Sequence, residues 1–502
     1  MASESIHHFI GGRYTRSAFL KTFGVTNPAT GTEYAQVAVG LAADINQAVL
    51  AALAALETGP WPDIAAPDRA ALLNRIADAI GERDDDIADA EARGTGLPVT
   101  QAREQAARAA GHFRLAASQV TAQDAGEASL PRGQGRYAVA RPAGVAGLIT
   151  PWRTPFLAQA RALAPALAAG CTVVLKPDEW APVPAMLLAE ISTAAGLPVG
   201  VRNVVHGARH PRAPGTQARD GLIAHPAVAR LWFAGDTAAG LQVMTEAAAQ
   251  GKHLQADPAS TSPCLIFADA DLDQAVDAAL FGAFALNGQR RTASSTVLAQ
   301  RPIYDTLVSC LAQRARRVRV GAPSDPATEI GPLVHTDHHT KVMSSIRAAV
   351  RDGARLAAGG TRPSGLAEGN YLEPTVLSDV TSSMQIFADH ICGPVVRVTP
   401  FDTDQEAVSL ASAIERPRAA YIWSSDLQRA HRLAQALGFA DIWVNSYNNQ
   451  DLETPPAGHM PGRPGAAAGD ASIAYYTQFQ TMHVAADETP VPRFGGLSAE
   501  IH

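Results

Sequence analysis

Short apolar runs alternate with longer stretches rich in alanine and leucine through the first half of the chain, and a glycine or proline follows each run. The apolar runs lie at 145–149, 172–175, 201–205 and 231–233. The stretches between them, such as 156–169 and 184–195, have the length of helices. Because strands that alternate with helices pair into a parallel sheet with helices on both faces, the sequence predicts an α/β fold.

The second half continues the same alternation. A run at 264–267 precedes an aspartate-rich turn at 269–273, and further strands are predicted at 296–299, 395–398, 420–423 and 442–444. Near the N-terminus, Asp44 is predicted to be the N-cap of a helix that carries Ile45 and Val49. His8 is predicted to lie at the solvated start of a strand, and His338 at the start of a surface helix.

Length and composition exclude several classes of protein. A chain of 502 residues is longer than one compact core, so about two or three domains are expected. With 41 lysines and arginines against 48 aspartates and glutamates, the net charge of −7 argues against a nucleic-acid binder. The four cysteines lie too far apart to predict a disulfide framework, and no metal site is expected. Without an apolar run of about 18 residues or a signal-like N-terminus, we expect a cytoplasmic protein with no membrane span.

A series of short motifs gives the chain a recognisable family pattern. In order they are NPATG at 27–31, TPW at 150–152, LKPDE at 175–179, GLPVGVRNVVHG at 196–207, DADLDQAV at 269–276, IGPLV at 330–334, YLEPTVL at 371–377 and GPVVRV at 393–398. Together they resemble the NAD(P)-dependent aldehyde dehydrogenase superfamily from about residue 8 to about residue 484.

The resemblance implies a Rossmann-type cofactor domain, an α/β catalytic domain and a small β-arm for oligomerisation. We expect the cofactor domain at 1–123 and 144–255, the catalytic domain at 256–452, and the arm at 124–143 and 470–502. The resemblance also implies a homo-oligomer, either a dimer or a tetramer, and an active paralogue is a further candidate partner.

The positions that perform the family's chemistry are substituted in this chain. Arg291 stands where the family motif GQxC has its nucleophilic cysteine, Asp257 stands at the general base, and Arg153 replaces the asparagine that stabilises the oxyanion. Aldehyde oxidation in this family requires a thiolate that adds to the carbonyl carbon. A guanidinium cannot supply this nucleophile, because its pKa lies above about 12 and it has no free lone pair. We therefore expect a member that has lost aldehyde oxidation and acts as a non-catalytic or scaffold subunit.

Two alternatives stay open at this stage. In the first, the protein is a repurposed non-redox enzyme of the isomerase, hydratase or cyclase type, in which Arg153, Asp257 and Arg291 hold a small anionic molecule. In the second, it is an NAD(P)-dependent aldehyde dehydrogenase with an unusual nucleophile. Cys392 is the best candidate for that nucleophile, because its family counterpart approaches the cofactor ribose, although a small buried core residue is the simpler interpretation.

Several positions match the family's cofactor site. They are Trp152, Lys176, Glu179, Gly235, Asp236, Gly240 and His390. Lys176 and Glu179 keep the pair that the resemblance assigns to the adenosine ribose, but Asp236 stands where the family has a serine beside the pyrophosphate. Two unit charges about 4 Å apart repel each other by about 4 kcal/mol at an effective dielectric constant of about 20. We therefore expect NAD(P) binding to be weak or absent. His390, in place of the family's glutamate, is expected to titrate near neutral pH.

Overall fold

The computed structural model describes residues 4–122, 134–208, 217–290, 293–414, 417–447 and 470–485. The strands in this part of the chain are β1 (Glu4–Ile6), β2 (His8–Ile10), β3 (Arg13–Thr15), β4 (Thr22–Thr26), β5 (Glu33–Ala38), β6 (Gln134–Pro142), β7 (Val145–Ile149), β8 (Thr172–Lys176), β9 (Arg202–Val204), β10 (Val228–Gly235), β11 (His253–Pro258), β12 (Pro263–Ile266), β13 (Thr296–Gln300), β14 (Arg355–Ala358), β15 (Thr375–Ser378), β16 (Val395–Phe401), β17 (Ala419–Trp423), β18 (Asp441–Val444) and β19 (Thr477–Ala485).

The α-helices in the same ranges are α1 (Ala42–Glu57), α2 (Ala66–Glu82), α3 (Asp84–Thr95), α4 (Val99–Ala122), α5 (Pro155–Ala168), α6 (Val183–Ala194), α7 (Ala218–Ala224), α8 (Thr237–Ala249), α9 (Leu272–Phe284), α10 (Tyr304–Ala315), α11 (Thr336–Arg351), α12 (Gln385–Ala388), α13 (Asp404–Ser412), α14 (Leu427–Leu437) and α15 (Asp470–Tyr475). Within the described residues, no helix stays apolar over a length that would cross a bilayer.

Two seven-stranded sheets form the body of the described chain. The first has the order β11-β10-β7-β8-β9-β2-β3, and its strands β7 to β11 pair in parallel. The second has the order β14-β15-β16-β13-β12-β17-β18, in which β14 alone pairs antiparallel. This arrangement confirms the predicted α/β fold with a Rossmann-type sheet.

The core lies on both faces of the first sheet. Every residue of β7 and β8 is buried, as expected of central strands that helices cover on both sides. On one face, Leu163 of α5 packs in the same cluster as Leu148 of β7. On the other, Ile45 of α1 packs in the same cluster as Val174 of β8. Side chains that alternate along these strands therefore pack into two separate cores, one on each face. These two cores hold the sheet between its helices.

A two-stranded arm stands apart from both sheets. Strands β6 and β19 pair antiparallel from Pro142 opposite Thr477 to Gln134 opposite Ala485. On β19, Phe479 and Val484 are 67% and 47% exposed. The expected arm also includes residues 124–133 and 486–502, which lie outside the described residues. The expected oligomer and the expected division of the chain into domains stay predictions.

The sequence predicted Asp44 to be the N-cap of its helix, and this prediction was wrong. Helix α1 begins at Ala42, so Asp44 lies inside its first turn. Its buried carboxylate accepts backbone hydrogen bonds from Leu41 and from Ala18, each at 2.9 Å. The prediction failed because the second of these donors comes from a distant segment, which allows the helix to begin earlier than the local pattern indicates.

His8 is fully buried, so the prediction of a solvated strand start was wrong. Strand β2 lies between β3 and β9, and the ring of His8 stacks on that of His206 with 6.1 Å between their centroids. His8 Nδ1 accepts a hydrogen bond from the backbone N–H of His206 at 3.2 Å, and its Nε2 lies 3.8 Å from Asp44. Burial lowers the pKa of His8 to about 4, which the nearby carboxylate of Asp44 opposes. This histidine is therefore a neutral core residue at physiological pH.

We expect the protein to lose stability as the pH falls from about 6.5 towards about 4. Burial lowers the pKa of His8 to about 4 and the pKa values of His112 and His390 to about 3. An unfolded histidine titrates near 6.5, so the unfolded chain binds more protons in this interval, and each such histidine removes about 1.4 kcal/mol of unfolding free energy per pH unit. Glu91 and Asp178, whose pKa values burial raises to about 7, act in the opposite sense.

Thermal unfolding followed at a series of pH values measures this balance. His206 and His338, whose pKa values burial also lowers, add to the loss, so the histidines outweigh the two carboxyl groups. The melting temperature should fall with pH across the interval. A melting temperature that stays level or rises would contradict the prediction.

Candidate active site

The polar side chains of interest gather at one edge of the first sheet. Strands β7, β8, β10 and β11 run parallel, so their carboxyl ends meet at the same edge, where α/β proteins bind ligands. Arg153 follows β7, Lys176 ends β8, Asp236 follows β10, and Asp257 is the last residue but one of β11. The fold therefore brings together most of the positions that the sequence selected.

Arg153 contacts Asp236 and Cys392 at the same time. Its Nη2 forms an ion pair with Asp236, and its Nε donates to Cys392 Sγ at 3.0 Å. The guanidinium also lies over the ring of Trp152, 4.7 Å from the centroid. The side chain of Arg153 is 8% exposed and that of Asp236 is 52% exposed, so the pair joins a buried cation to a carboxylate at the surface of the cleft.

The charge of Arg153 changes the acidity of both partners. Partial burial acts to raise the pKa of Asp236, but the ion pair and hydrogen bond with Arg153 outweigh it and hold the pKa below its usual value. Burial raises the pKa of the Cys392 thiol, and the charge and hydrogen bond of Arg153 pull it back part of the way. A cation in contact with a thiol favours the thiolate. The contact with Arg153 therefore makes Cys392 more reactive than burial alone would allow.

The backbone of Cys392 is held by a histidine. Trp152, Ala181, Val334 and Cys392 form one small apolar cluster. His338 Nε2 lies within hydrogen-bond distance of the Cys392 carbonyl oxygen, so Nε2 donates. His338 is in the first turn of α11, as the sequence predicted, but it turns inward instead of facing solvent.

Asp257 has different partners from Arg153. Its Oδ2 lies 2.9 Å from Arg161 Nη1 and its Oδ1 lies 3.1 Å from Arg418 Nη1. The side chain of Arg418 is 2% exposed, whereas that of Arg161 is 20% exposed. The structure therefore does not support a single site in which Arg153 and Asp257 hold one anion. The third member of that predicted site, Arg291, lies outside the described residues.

More positive charge surrounds the Asp257 group. Arg108 and His112 on α4 face Arg161, and the pKa of His112 is lowered to about 3 by burial and by the charges of Arg161 and Arg108. The pKa of Arg108 is likewise lowered by burial and by Arg161, and the pKa of Arg290 by burial and by Arg108. We call Arg108, Arg161, Arg290 and Arg418 the arginine cluster. Two further carboxylates belong to the same region: Asp441 Oδ2 lies 3.4 Å from Arg418 Nε, and the charge of Glu104 acts to raise the pKa of Arg108.

The sequence analysis missed the arginine cluster, although one signal was present. Arg161 is the single charged residue of α5, whose other residues are apolar apart from Gln159. A lone charge in a helix of this composition indicates a specific partner. Arg418 gave no such signal, because 161 residues separate it from Asp257.

The cleft beside Asp236 fits NAD(P). Lys176 Nζ lies 3.6 Å from Glu179 Oε2, and both side chains are largely buried, so the pair that the resemblance assigns to the adenosine ribose is intact. Asp236 is the N-cap of α8 but its side chain makes no capping hydrogen bond, because it turns towards Arg153. The backbone N–H groups of the first turn are therefore available to a phosphate. A Cβ atom on Gly240 would lie 3.2 Å from both Phe233 and Pro258, so this close helix approach needs glycine.

The prediction that His390 titrates near neutral pH was wrong. Its Nδ1 lies 3.0 Å from Thr261 Oγ1. Burial, together with the nearby charges of Arg153 and Arg397, lowers the pKa of His390 to about 3. A solvated histidine at this position would have behaved as predicted, but burial keeps this one neutral.

Comparison with protein families decides the identity of this arrangement. The model of the aldehyde dehydrogenase family matches residues 14–482. The chain belongs to this family. A 2-hydroxymuconic semialdehyde dehydrogenase from Pseudomonas sp. (strain CF600) is 37% identical over 489 residues, covering 96% of this chain and 99% of the relative. A 5-carboxymethyl-2-hydroxymuconate semialdehyde dehydrogenase from Escherichia coli is 38% identical over 470 residues, covering 92% and 98%.

A solved structure extends the likeness to the fold. The NAD+ complex of an aldehyde dehydrogenase from Bacillus cereus superposes with a TM-score of 0.90 at 33% identity, covering 96% of this chain and 97% of that one. The aldehyde dehydrogenase fold of this chain is therefore shared with a structure that binds NAD+.

These relatives correct the expectation that the chain has lost aldehyde oxidation. Relatives that match almost the whole chain are named dehydrogenases, which indicates catalytic aldehyde oxidation and not a scaffold subunit. The sequence analysis kept an unusual nucleophile, Cys392, as an alternative, but it gave preference to the loss of the thiol at the position of Arg291. In the structure a different thiol, that of Cys392, contacts a buried cation. The same relatives argue against the non-redox alternative, since they are named as dehydrogenases.

We expect the substitution Arg153→Met to weaken NAD+ binding by about tenfold, because it leaves the Asp236 carboxylate without its cation beside the pyrophosphate position. The double substitution Arg153→Met with Asp236→Ser removes both charges and should bring the affinity back to within about twofold of the single Asp236→Ser variant. Calorimetric titration with NAD+ measures these affinities. Equal affinities in the native protein and in Arg153→Met would show that the ion pair has no part in cofactor binding.

Proposed function

We propose that this protein is an NAD(P)-dependent aldehyde dehydrogenase in which the thiol of Cys392 is the nucleophile. One observation carries the proposal: Arg153 Nε donates a hydrogen bond to Cys392 Sγ at 3.0 Å in a buried site. The relatives named as semialdehyde dehydrogenases support the reaction type. The contact with a guanidinium supports Cys392 as the group that performs it.

The other thiols are worse candidates. Cys171 is buried and donates to the carbonyl oxygen of Tyr476, and burial raises its pKa to about 11. Cys264 is buried in β12, where burial raises its pKa to about 12. Cys310 is on α10 and packs against the cluster that contains Cys264, away from any cation that the structure shows in contact with a thiol.

Residues around Cys392 provide what thiolate addition requires. The charge of Arg153 stabilises the thiolate, whose sulfur lone pair forms a bond to the carbonyl carbon while the carbon–oxygen π pair moves to the oxygen. The same guanidinium is then next to the developing oxyanion, where fixed positive charge lowers the barrier. Loss of hydride from that carbon leaves a thioester, which water hydrolyses to the carboxylic acid and the free thiol.

NAD(P) supplies the hydride acceptor of this reaction when it is bound. Lys176 and Glu179 would hold the adenosine ribose, and the uncapped N–H groups of α8 would hold the pyrophosphate. The related NAD+ complex from Bacillus cereus supports this choice of cofactor. The weak binding that the sequence predicts from Asp236 stays a prediction, although its ion pair with Arg153 reduces the expected repulsion.

We propose an aldehyde that also carries a carboxylate as the substrate. The names of the Pseudomonas and Escherichia coli relatives describe semialdehydes of this kind. In this chain Arg161, which pairs with Asp257, keeps 20% of its side chain exposed and can therefore reach a ligand, and Arg108 faces it as a second cation. Planar guanidinium groups bind carboxylates with paired hydrogen bonds. The homo-oligomer and the cytoplasmic location are further proposals that follow from the sequence alone.

The substitution Cys392→Ser should reduce aldehyde-dependent NADH formation by at least about 100-fold, because a hydroxyl cannot reach the nucleophilic state that the thiolate has. Cys310→Ser is the matched control and should leave the rate within about twofold. Activity is followed by NADH absorbance, and peptide mass spectrometry after trapping with substrate locates the acyl group. Undiminished activity in Cys392→Ser, or an acyl group on another residue, would refute the assignment of the nucleophile.

Replacing Arg161 should change substrate preference more than catalytic power. In Arg161→Met we expect KM for an aldehyde with a distal carboxylate to rise by about tenfold, while KM for a neutral aldehyde of the same length changes by less than about twofold. Arg314→Met, which removes an exposed arginine paired with Asp273 and Asp277, is the control for general effects of losing a charge. Parallel increases in KM for both aldehydes would argue against carboxylate recognition by Arg161.

A further inference from the structure

Glu91 forms a long-range contact with the start of the helix that follows Arg153. It is on α3, fully buried, and its Oε1 accepts a hydrogen bond from the backbone N–H of Phe156 at 2.8 Å. Phe156 is the second residue of α5, and the N-cap residue of that helix, Thr154, makes no capping hydrogen bond with its own side chain. Glu91 therefore provides from another helix the cap that α5 lacks.

The turn that Glu91 supports is strained. Thr154 has φ of +40° and ψ of 59°, a left-handed conformation that a β-branched residue adopts only where its surroundings impose it. Arg153 precedes this residue directly, so the direction of its side chain depends on the strained turn. The hydrogen bond that Phe156 N–H donates to Glu91 lies on the other side of the same turn, only two residues from Thr154.

Burying the carboxylate of Glu91 at this position costs free energy. The side chain is fully buried, and burial raises the pKa of Glu91 to about 7, against the opposing hydrogen bond of Phe156. Its second oxygen, Oε2, has no hydrogen-bond partner among the described residues. An apolar side chain of similar volume would pack without this desolvation penalty. The hydrogen bond that the carboxylate of Glu91 accepts from a backbone N–H therefore explains why a polar side chain lies here. That N–H is at a helix N-terminus, where negative charge is favoured.

We propose that Glu91 is a positioning residue for Arg153: it fixes the start of α5 so that the guanidinium reaches Cys392 and Asp236. The inference concerns the same site as the proposed function. It does not depend on turnover, because the reactivity of the Cys392 thiol reports the position of Arg153 directly.

The test is the pH profile of Cys392 alkylation by iodoacetamide, with modification quantified by peptide mass spectrometry. In Glu91→Ala we expect the midpoint to rise by about one pH unit and the rate at neutral pH to fall by about tenfold, because the thiolate loses its cation. Glu91→Asp shortens the side chain by one methylene, about 1.5 Å, and should show a smaller shift in the same direction. Glu91→Gln keeps an acceptor oxygen and should match the native profile.

Two controls separate positioning from a general structural role. Asp44 is also a buried carboxylate that accepts backbone N–H groups at the start of a helix, but it is on α1. Asp44→Ala should lower the melting temperature and leave the Cys392 profile unchanged. In an Arg153→Met background, Glu91→Ala should add no further shift, because the group that Glu91 positions is already gone.

The proposal is overturned if folded Glu91→Ala and Glu91→Asp give the native Cys392 profile, or if Asp44→Ala shifts that profile by as much. Should Glu91→Ala fail to fold, the comparison of Glu91→Asp with Glu91→Gln decides the question in the same way. A shift in the alkylation profile together with absence of aldehyde oxidation in the native protein would support Glu91 as a positioning residue and refute the proposed function.

Discussion

The guanidinium of Arg153 determines the chemistry of this site, because separate elements depend on its charge. It neutralises Asp236 at the start of α8 and donates to the Cys392 thiol that precedes β16. An arginine keeps its charge when it is buried, and its planar fork can bind two partners at once. A lysine in the same place would provide one charge centre and would be more easily neutralised. The cofactor cleft and the thiol are therefore coupled through a single side chain, which the backbone at Thr154 and the carboxylate of Glu91 hold in place.

Buried positive charge is the second constraint on the site. The chain as a whole carries a net charge of −7, yet the region around Asp257 contains more arginines than acids. Arg418, which directly precedes β17, is almost fully buried and pairs with both Asp257 and Asp441, while Arg161 reaches Asp257 from α5 with part of its surface exposed. Arg108 adds a further charge that acts against Arg161, although Glu104 opposes it. Because Arg161 and Arg108 repel each other, an acidic ligand beside Arg161 is favoured over a neutral one.

The sequence predicted the fold well, because buried parallel strands appear as continuous apolar runs and the helices between them as periodic ones. It failed where a distant segment changed a local pattern. Asp44 accepts a hydrogen bond from Ala18, so the start of its helix could not be predicted from neighbouring residues alone. His8 is on β2, which pairs with the distant strand β9, so its burial could not be predicted from neighbouring residues either. At the site, family motifs selected Arg153 and Asp257 as candidate residues, which stays a prediction, and gave no information on their partners. The residues that pair with them, such as Cys392 and Arg418, are more than 150 residues away in sequence.

The departures from the family pattern occur in matched pairs. Asp236 alone would place an unbalanced carboxylate beside the pyrophosphate position, and Arg153 alone would be a buried cation without a partner, but together they neutralise each other. His390, which stands where the family has a glutamate, forms a neutral hydrogen bond with Thr261, with 3.0 Å between Nδ1 and Oγ1. A single substitution at either pair would leave a buried polar neighbour unsatisfied at a cost of about 1–3 kcal/mol. At these two pairs the paired replacement keeps a hydrogen bond or a charge balance, as the proposed function requires, while Nε2 of His390 has no hydrogen-bond partner among the described residues.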